Sequence, residues 1–546
     1  MKNNSLDDET AVPLLTRALP MAVLAALSAL YYALYFDAGF NFSDEGNYAQ
    51  FAYELSLGTS LNDLPLGYGL LWFKLGEAMF RLFGPNYLIV RLLFFACVLA
   101  TTLLVYAAVV RVTGRRWYAA AIAAVPALAP AFLPTAFYGL CILINCVPQL
   151  RLAQGLAIAR ARDAAVAGAA LALSFQIRPD FGYIFAVPLT ALLILAAGRG
   201  ADDRPARLRR GLRLAGAATL AFMAAHLPGL ILAVNDGYLG ALIGQYLSYP
   251  FMLADYGLRG VTAMFGGGAN VGAGTAALLQ RPHLFGAASL AEARLALLVY
   301  LPLVIVVAFA VCALLTLRRA ADPVTYGAMM LVVLFAGAAA LPHYFFFRPD
   351  LSHVANFMPG FAVLAGVFIW QAVTRSRRGI VLAVPIAAVL GLYLWTALTQ
   401  EGSGSIAGTF GRTERFQAAN GVNVRVYPGE KVMFEDLKAV IEANSAPGDT
   451  IVCVPYCPGI AFMTDRRLLF REQYVDDAVP ARDPEWIERA IALTRERRPP
   501  VVIVMDWAVN GTEISRFSRW ASPYMETLEM LAREKLDRPG LSIYLL

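Results

Sequence analysis

Long apolar runs separated by short polar segments are the dominant pattern of the chain up to residue 398. A hydrocarbon core of about 30 Å needs about 20 apolar residues per helix, and fewer where neighbouring protein covers the helix ends. The pattern predicts about eleven spanning helices, at residues 19–36, 87–111, 118–134, 136–150, 163–177, 181–197, 214–234, 295–317, 324–342, 354–374 and 379–398. We therefore expect a polytopic α-helical membrane protein.

The composition agrees with this interpretation. Of the 546 residues, 59% are hydrophobic and 15% are charged, so a soluble fold would have too little polar surface to cover itself. The net charge of +6 does not indicate a nucleic-acid partner, because the Lys and Arg residues form short clusters between apolar runs. The acidic stretch Asp7, Asp8 and Glu9 is untypical of a signal peptide, so we expect the first apolar run to be a retained helix.

Basic side chains in the loops predict the orientation of the helices. With the N-terminus inside, the inner loops carry five basic clusters: Arg111, Arg115 and Arg116; Arg151, Arg160 and Arg162; Arg199 and the arginines of 204–213; Arg318 and Arg319; and Arg375, Arg377 and Arg378. All five lie on one side, as the positive-inside rule requires. The outer side then contains the loops 37–86, 235–294 and 343–353, the turn 178–180 and the chain after 398. We predict a multi-pass protein of the cytoplasmic membrane whose functional site faces outward.

The last part of the chain has a different pattern. Short β-type runs at 450–457, 501–506 and 541–546 alternate with helical patterns at 484–497 and 516–534. Such alternation is typical of a small α/β domain. We expect a transmembrane catalytic module at 1–398 and an extracytoplasmic α/β domain at 399–546.

The first outer loop begins with two adjacent carboxylates, Asp44 and Glu45. Carboxylates at a membrane surface are costly unless they are used or paired. One hypothesis makes Asp44 the general base that takes a proton from an acceptor hydroxyl. The alternative is a helix N-cap, because Ser43 and Asp44 precede a segment, 48–57, that could be helical.

A second segment of this loop, 70–83, is apolar but carries Lys74, Glu77 and Arg81 at three- and four-residue spacing. These charges would share one face of a helix. The segment therefore predicts an amphipathic helix that lies along the membrane surface, rather than a further span.

Arg348, Asp350 and His353 share a short loop between two predicted spans. Arginine suits a phosphate because its planar guanidinium group can bind two oxygens together, and histidine can add a second donor. The loop therefore predicts a site for the phosphate of a lipid-linked donor. The alternative is an Arg–Asp pair that stabilises the turn.

Arg178 and Asp180 interrupt an otherwise apolar stretch and, with Pro179, predict a hairpin whose tip reaches the outer side. We favour a structural ion pair, because a charge near the membrane usually has a partner. The alternative is a site role, with Arg178 near the phosphate and Asp180 near the sugar. His226 and His343 have no metal-ligand spacing, and no role is assigned to them.

Two further features lie in the predicted outer domain. Cys453 and Cys457 could form a disulfide in an oxidising compartment, and their spacing leaves that bond open. Asp506 and Trp507 end an apolar strand, and we interpret them as an ordinary strand end rather than as a sugar-stacking site.

Several of these features together resemble a known family. They are Asp44, Glu45 and Tyr48, the Pro-Leu-Gly-Tyr segment 65–68, the amphipathic stretch ending at Phe83 and Gly84, and Arg91 at the start of the second span. They resemble the bacterial GT-C glycosyltransferases related to protein O-mannosyltransferases and to the lipid A aminoarabinose transferase. The resemblance covers residues 18–200 and continues as architecture beyond them.

The resemblance implies a GT-C-like fold and an inverting transfer of a sugar from a polyprenyl-phosphate donor to an acceptor hydroxyl. The resemblance makes Asp44, and less directly Glu45, catalytic residues. The chemistry of the other candidates adds Arg348, His353 and Arg178 at the donor phosphate, and Tyr48, Tyr68, Asp350 and Asp180 near the sugar or acceptor. The partners would be a polyprenyl-phosphate-linked sugar, membrane lipid and a glycan, lipid or protein acceptor, without nucleic acid. No cofactor or metal ligand is assigned, and the use of a divalent metal stays an open alternative.

Two other functions are compatible with the sequence. A transporter or flippase for a lipid-linked saccharide would need charges in the middle of helices and internally repeated halves, and the sequence shows neither. A non-catalytic assembly subunit on a GT-C-like scaffold would have nearly the same sequence pattern, so this alternative stays open.

Overall fold

The computed structural model describes residues 14–64, 69–129, 133–199, 203–248, 250–251, 282–283, 285–347, 349–375, 377–399, 406–477, 479–508 and 513–546. Up to residue 399 the main elements are helices. They are α1 (Leu14–Tyr35), α2 (Asp44–Ser56), α3 (Leu70–Phe83), α4 (Tyr87–Thr113), α5 (Arg116–Leu128), α6 (Phe137–Gln154), α7 (Ala161–Ile177), α8 (Pro179–Arg199), α9 (Arg204–Asn235), α10 (Leu290–Leu317), α11 (Pro323–Ala338), α12 (Leu351–Arg375) and α13 (Ile380–Thr399).

A helix occupies each of the eleven predicted spans, but two of these helices are short. Nine helices in the described part of the chain are long and apolar enough to cross a membrane, by length and composition. The other two are α5 with 13 residues and α7 with 17, which extend about 20 Å and about 25 Å at the usual helical rise. The predicted span 118–134 is too long, because α5 ends at Leu128, two residues after Pro126. The chain is a multi-pass membrane protein.

The five basic clusters meet at one end of the helix bundle. Arg111 donates to Gln154 at 3.1 Å, and Arg151 pairs with Asp163 at 3.0 Å. Other contacts at this end join Arg210 to the Leu156 carbonyl (3.0 Å), Arg199 to Asp322 (2.7 Å) and Arg375 to Thr316 (2.8 Å). Tertiary contacts thus connect all five clusters, in agreement with the prediction that they lie on one side of the membrane.

Helix α3 forms as the amphipathic pattern predicts. Its buried Glu77 pairs with Lys74 at 2.8 Å and with Arg81 at 2.7 Å, and Lys74 also reaches Asp236, just beyond α9, at 2.6 Å. Burial lowers the pKa of Lys74, but hydrogen bonds to Asp236 and Glu77 outweigh that effect, so the pKa lies above its ordinary value. The charges of α3 therefore pair with one another and with the end of α9.

The chain from residue 406 forms a small domain around a five-stranded sheet with the strand order β4-β3-β5-β7-β6. Its elements are α14 (Ile406–Phe410), β1 (Glu414–Gln417), β2 (Asn423–Val426), α15 (Pro428–Asn444), β3 (Thr450–Val454), α16 (Pro458–Met463), β4 (Arg467–Leu468), α17 (Val479–Arg482), α18 (Trp486–Arg497), β5 (Val501–Met505), α19 (Phe517–Trp520), α20 (Ser522–Leu531), β6 (Glu534–Arg538) and β7 (Leu541–Leu545). Strand β3 is parallel to β4 and β5, and β7 is antiparallel to β5 and β6. Strands β1 and β2 form a separate antiparallel hairpin.

The sheet confirms the predicted α/β character of this part. Strand β5 is an uninterrupted apolar run with every residue buried, as expected for a central strand covered on both faces. The helix predicted at 516–534 is wrong at its end, because α20 stops at Leu531 and β6 follows. β6 is an edge strand with exposed charged side chains, so it lacks the apolar alternation that would reveal a strand.

Candidate active site

Asp44 is the first residue of α2 and lies where the loop after α1 meets the C-terminal domain. The Asn41 side chain, rather than that of Ser43, caps this helix: Asn41 Oδ1 accepts the backbone N–H groups of Ser43 (3.1 Å) and Asp44 (2.8 Å). Asp44 Oδ1 accepts a hydrogen bond from Tyr456 Oη at 3.1 Å. The capping role proposed for Ser43 and Asp44 is therefore taken by Asn41, and the Asp44 carboxylate faces the C-terminal domain.

Two glycines allow the C-terminal domain to approach α2 closely. The Gly459 backbone N–H donates to the Phe42 carbonyl at 2.7 Å. A Cβ atom on Gly46 would lie 2.5 Å from Gly459 Cα, which is closer than two non-bonded carbon atoms can approach, so no side chain fits at this position. The start of α16 thus packs directly on the first turn of α2, and this contact fixes the neighbourhood of Asp44.

The loop that carries Tyr456 is closed by a disulfide between Cys453 and Cys457, a bond that the sequence left open. Across the same junction, the rings of Phe42 and Trp507 stack with their centroids 5.8 Å apart. Trp507, interpreted from the sequence as an ordinary strand end, therefore takes part in docking the domain. Tyr456 was not predicted as a site residue, because its partner Asp44 is 412 positions away in the chain.

Behind Asp44, a buried ion pair fixes the start of α2. Glu45 and Arg91 are 0% and 1% exposed, and Arg91 Nη2 lies 2.8 Å from Glu45 Oε2, which also accepts a hydrogen bond from Tyr87 Oη. Arg91 further donates to the carbonyl oxygens of Phe36 (2.9 Å), Ala38 (3.0 Å) and Gly39 (2.7 Å). This arrangement suits a positioning role for Glu45, since the carboxylate is enclosed rather than presented to a substrate. Arg91, which had no assigned role, holds the loop that leads to Asp44.

The other predicted residues near the acceptor lie in different surroundings. Tyr48 is 7% exposed and packs against aromatic rings, among them Trp72 and Phe94. Asp350 Oδ1 accepts the backbone N–H of His353 at 3.0 Å and contacts its ring Nδ1 at 2.8 Å, so Asp350 organises the start of α12. Tyr68 and Arg348 lie outside the described residues.

A second polar cluster surrounds Asp180, which is fully buried. Arg178 Nε donates to Asp180 Oδ1 at 2.9 Å and Oδ2 at 3.1 Å, and His343 Nε2 lies 2.6 Å from Asp180 Oδ2. The Arg178 guanidinium group lies over the Tyr138 ring, 4.3 Å from its centroid, and bonds the Tyr138 hydroxyl. The geometry therefore agrees with the favoured structural pairing of Arg178 and Asp180. The structure adds His343 to this pair, a residue to which the sequence assigned no role. The sequence did place His343 in the loop 343–353, on the same side of the membrane as the 178–180 hairpin, and this shared side could have indicated the contact.

Aromatic contacts connect the two clusters. The Tyr48 ring contacts Phe137 at 6.2 Å between centroids, and Phe137 contacts Tyr138 at 5.0 Å. Next to His343, the Tyr344 ring contacts Phe357 of α12 at 4.7 Å between centroids. Helix α2, the Asp180 cluster and the start of α12 thus lie at one end of the bundle, which we call the docking end because the C-terminal domain packs there.

An ion-pair network outside the bundle fastens the C-terminal domain to the end of α1. Asp37 Oδ1 accepts from Arg425 Nε at 2.9 Å, and Asp37 also pairs with Arg415 on the neighbouring strand. Burial raises the pKa of Asp37, but hydrogen bonds and charges from Arg425 and Arg415 outweigh it, so the pKa lies below its ordinary value. Ionised Asp37 thus helps to hold the β1–β2 hairpin against the bundle.

Replacing Asp37 by Asn should lower the free energy of unfolding by about 1 kcal/mol or less, because these pairs are partly exposed. A carboxyl whose pKa is depressed by folding stabilises above its unfolded pKa of about 3.8, and this stabilisation is lost as the pH falls through the lower folded pKa. Melting temperatures of wild type and Asp37→Asn, measured from about pH 2 to about pH 7, should differ at neutral pH and converge in acid. Glu414→Gln, which removes the partly exposed pair between β1 of the same hairpin and Lys431 of α15, is the control. A difference between Asp37→Asn and wild type that is independent of pH would contradict this assignment.

No metal centre is evident in the described part of the chain. Among those residues, no group of three or more His, Cys, Asp or Glu side chains is placed to hold a metal ion. At the docking end, Glu45 pairs with Arg91 and Asp180 pairs with Arg178.

The fold and the docking end define a multi-pass membrane protein with a helix bundle and a small C-terminal sheet domain. No family model and no curated protein matches the chain. In fold, the chain is similar to the crystal structure of ArnT from Cupriavidus metallidurans bound to undecaprenyl phosphate, with a TM-score of 0.52, 12% identity and coverage of 97% of this chain and 98% of that one. The apo structure of the same protein gives a TM-score of 0.50, 13% identity and the same coverage. These similarities confirm the predicted GT-C-like fold.

Proposed function

We propose that the chain is a glycosyltransferase of the cytoplasmic membrane that transfers a sugar, with inversion, from a polyprenyl-phosphate donor to an acceptor hydroxyl at the outer face. The observation that carries this proposal is the placement of Asp44, a carboxylate at the junction of two folded parts with a buried ion pair behind it. The similar fold of an ArnT structure that holds undecaprenyl phosphate supports a polyprenyl phosphate as the lipid of the donor.

In the proposed reaction, Asp44 acts as the general base. The acceptor oxygen forms a bond to the anomeric carbon of the sugar, while the bond from that carbon to the phosphate oxygen breaks. The acceptor proton passes to the Asp44 carboxylate, and the electron pair of the broken bond stays on the departing polyprenyl phosphate. Tyr456 orients Asp44 by its hydrogen bond, and the Glu45–Arg91 pair holds the first turn of α2 in place. A base must be held close to its proton in this way to be effective.

We assign the phosphate side of the reaction to Arg348 and His353, and to Arg178 in addition to its structural pairing with Asp180. Guanidinium and imidazolium groups stabilise the charge that grows on a departing phosphate. Asp180 orients both Arg178 and His343, so we place His343 in this part of the site as well. Asp180 and Asp350 then act as positioning residues for their basic neighbours, a different role from contact with the sugar.

The arrangement of buried charges supports an enzyme over a transporter. Glu45, Arg91, Arg178 and Asp180 are buried charged residues, and all four lie at the docking end rather than in the middle of helices. A transporter would need charged groups along the translocation path near the centre of the membrane. The docking end therefore suits chemistry at one membrane surface.

The purified protein should transfer radiolabelled sugar from undecaprenyl-phosphate-linked donors to components of an envelope extract and release undecaprenyl phosphate. Mass spectrometry of lipid copurified with the protein should detect a polyprenyl phosphate. Movement of the intact donor across vesicles without release of undecaprenyl phosphate would contradict the enzyme and favour a flippase. The absence of both sugar transfer and copurified polyprenyl phosphate would favour the non-catalytic assembly subunit.

A further inference from the structure

A large groove lies between the end of α2 and the C-terminal domain. Its volume is about 750 Å³, within the range of about 300–1,000 Å³ that is usual for ligand pockets. One wall comes from the first loop and includes Glu54 and Asp63, and the other comes from the C-terminal domain, with Arg467, Arg471 and Gln473. The groove therefore exists only because the domain docks on the loop.

The position of the groove relative to Asp44 follows from two elements. Glu54 is ten residues after Asp44 on α2, which corresponds to about 15 Å along a helix. Strand β3 begins at Thr450, which lines the groove, and ends at Val454, two residues before Tyr456, so it spans a similar distance of about 13 Å. Both elements place the groove about 15 Å from the carboxylate that we assign as the base.

Some charges of the groove are already matched within the protein. Arg467 donates to Glu54 Oε2 from Nε at 3.0 Å and from Nη2 at 2.8 Å, and it contacts Thr59 at 2.7 Å. Asp449 Oδ2 accepts the backbone N–H of Ala446 at 2.7 Å. Because these charged groups already have partners within the protein, a ligand in the groove does not need to neutralise them.

Two arginines of the groove are not matched in this way. Arg471 is exposed and forms no hydrogen bond or ion pair with any residue that the structure describes. Arg497 is exposed and pairs with its neighbour Glu496 at 3.4 Å, a contact of little energetic value at the surface. The groove thus offers two guanidinium groups to an anion from the wall of the C-terminal domain, while the exposed Asp63 carboxylate lies on the facing wall.

Gln473 adds an unsatisfied polar group to the same wall. It is 4% exposed, and its Oε1 has no hydrogen-bond partner among the described residues. A buried amide oxygen without a partner is costly, so a hydroxyl donor that reaches this wall would be favoured.

We propose that this groove binds the saccharide part of the acceptor, and that this saccharide carries an anionic group recognised by Arg471 and Arg497. The wall combines carboxylate, guanidinium and amide groups, which bind hydroxyls and acidic substituents, with apolar residues such as Leu469 and Leu493, against which the apolar faces of sugar rings can pack. The inference rests on the proposed glycosyl transfer, since a saccharide held here would have to extend several sugar units to bring a hydroxyl to Asp44.

Binding of two trisaccharides to the intact protein in nanodiscs tests the groove without requiring transfer. Tri-galacturonate carries a carboxylate on each unit, whereas maltotriose is neutral. We expect wild type to prefer tri-galacturonate, and Arg471→Gln or Arg497→Gln to weaken its binding about tenfold, as the loss of one charged hydrogen bond would. Arg495→Gln, an exposed arginine of α18 outside the groove, is the matched control and should bind as wild type does.

The outcomes separate this inference from the proposed function. Wild-type affinity of both groove variants for tri-galacturonate, or no saccharide binding by the wild type, would overturn the groove assignment even if sugar transfer is observed. Selective binding that depends on Arg471 and Arg497 would support the groove, and its persistence in Asp44→Asn would show that binding does not depend on the base. Loss of transfer alone would count against the proposed reaction and not against the groove.

Discussion

An Asp44→Asn variant is expected to lose about 100-fold to 10,000-fold in the rate of sugar transfer while keeping its fold, because a general base contributes a factor of this size. Asparagine is nearly isosteric with aspartate and can still accept a hydrogen bond from Tyr456, so the junction with the C-terminal domain should stay intact. The variant lacks the oxygen that takes the acceptor proton. The effect should therefore appear in kcat rather than in the affinity for the donor lipid.

The measurement is single-turnover transfer from an undecaprenyl-phosphate-linked sugar, with the melting temperature recorded for each variant. Asp44→Glu keeps a carboxylate and should recover part of the rate. Glu435→Gln, which removes an exposed carboxylate of α15 that pairs only at 3.9 Å with Lys431, should transfer as wild type does. If Asp44→Asn retains near-normal turnover, Asp44 is not the base.

The second large effect is expected at Arg91. Replacing Arg91 by Met should lower the free energy of unfolding by about 3–5 kcal/mol, because removal of one partner leaves the other charge buried and unpaired. Glu45 is 0% exposed and would lose its ion pair, and three loop carbonyls would lose their donor. The loop before α2 should loosen, and transfer should fall together with stability.

A double-mutant cycle separates the two contributions of Arg91. The double variant Glu45→Met/Arg91→Met removes both charges, so it should be more stable than Arg91→Met alone. It should still be less stable than wild type, since the carbonyl oxygens of Phe36, Ala38 and Gly39 remain without their donor. Denaturant titration in micelles of Glu45→Met, Arg91→Met and the double variant gives the three differences from wild type in the free energy of unfolding. Strictly additive effects of the two substitutions would mean that Glu45 and Arg91 do not stabilise each other.

The two predictions concern two neighbouring carboxylates of the same site, one at the junction with the C-terminal domain and one buried in the bundle. Asp44 lies at the junction and has Tyr456 as a partner from the C-terminal domain, whereas Glu45, its neighbour in sequence, points into the bundle toward Arg91. Adjacent residues on a helix face different directions, so two neighbouring carboxylates can have unlike surroundings. This difference explains why we keep the base at Asp44 and give Glu45 a positioning role.

The helix positions could be predicted from the sequence because the signal is local. Each spanning helix is a single apolar run, and the basic clusters between runs report which ends lie together. The central strand β5 was equally visible as a continuous apolar run, as was α3 through its charge spacing. The charged edge strand β6 and the early end of α5 were not predicted, because neither has an apolar pattern of its own.

By itself, the sequence determined the positions and order of the apolar helices, the end of the bundle that carries the basic clusters and the α/β character of the last part of the chain. Only the tertiary structure decided that Asn41 caps α2, that Arg91 encloses Glu45, that His343 joins Asp180, and that Tyr456 reaches Asp44. Hydrophobic periodicity reports the local environment of a segment, whereas these contacts join residues up to 412 positions apart. Such pairs form only when the whole bundle and the docked domain are in place, and no local pattern specifies them.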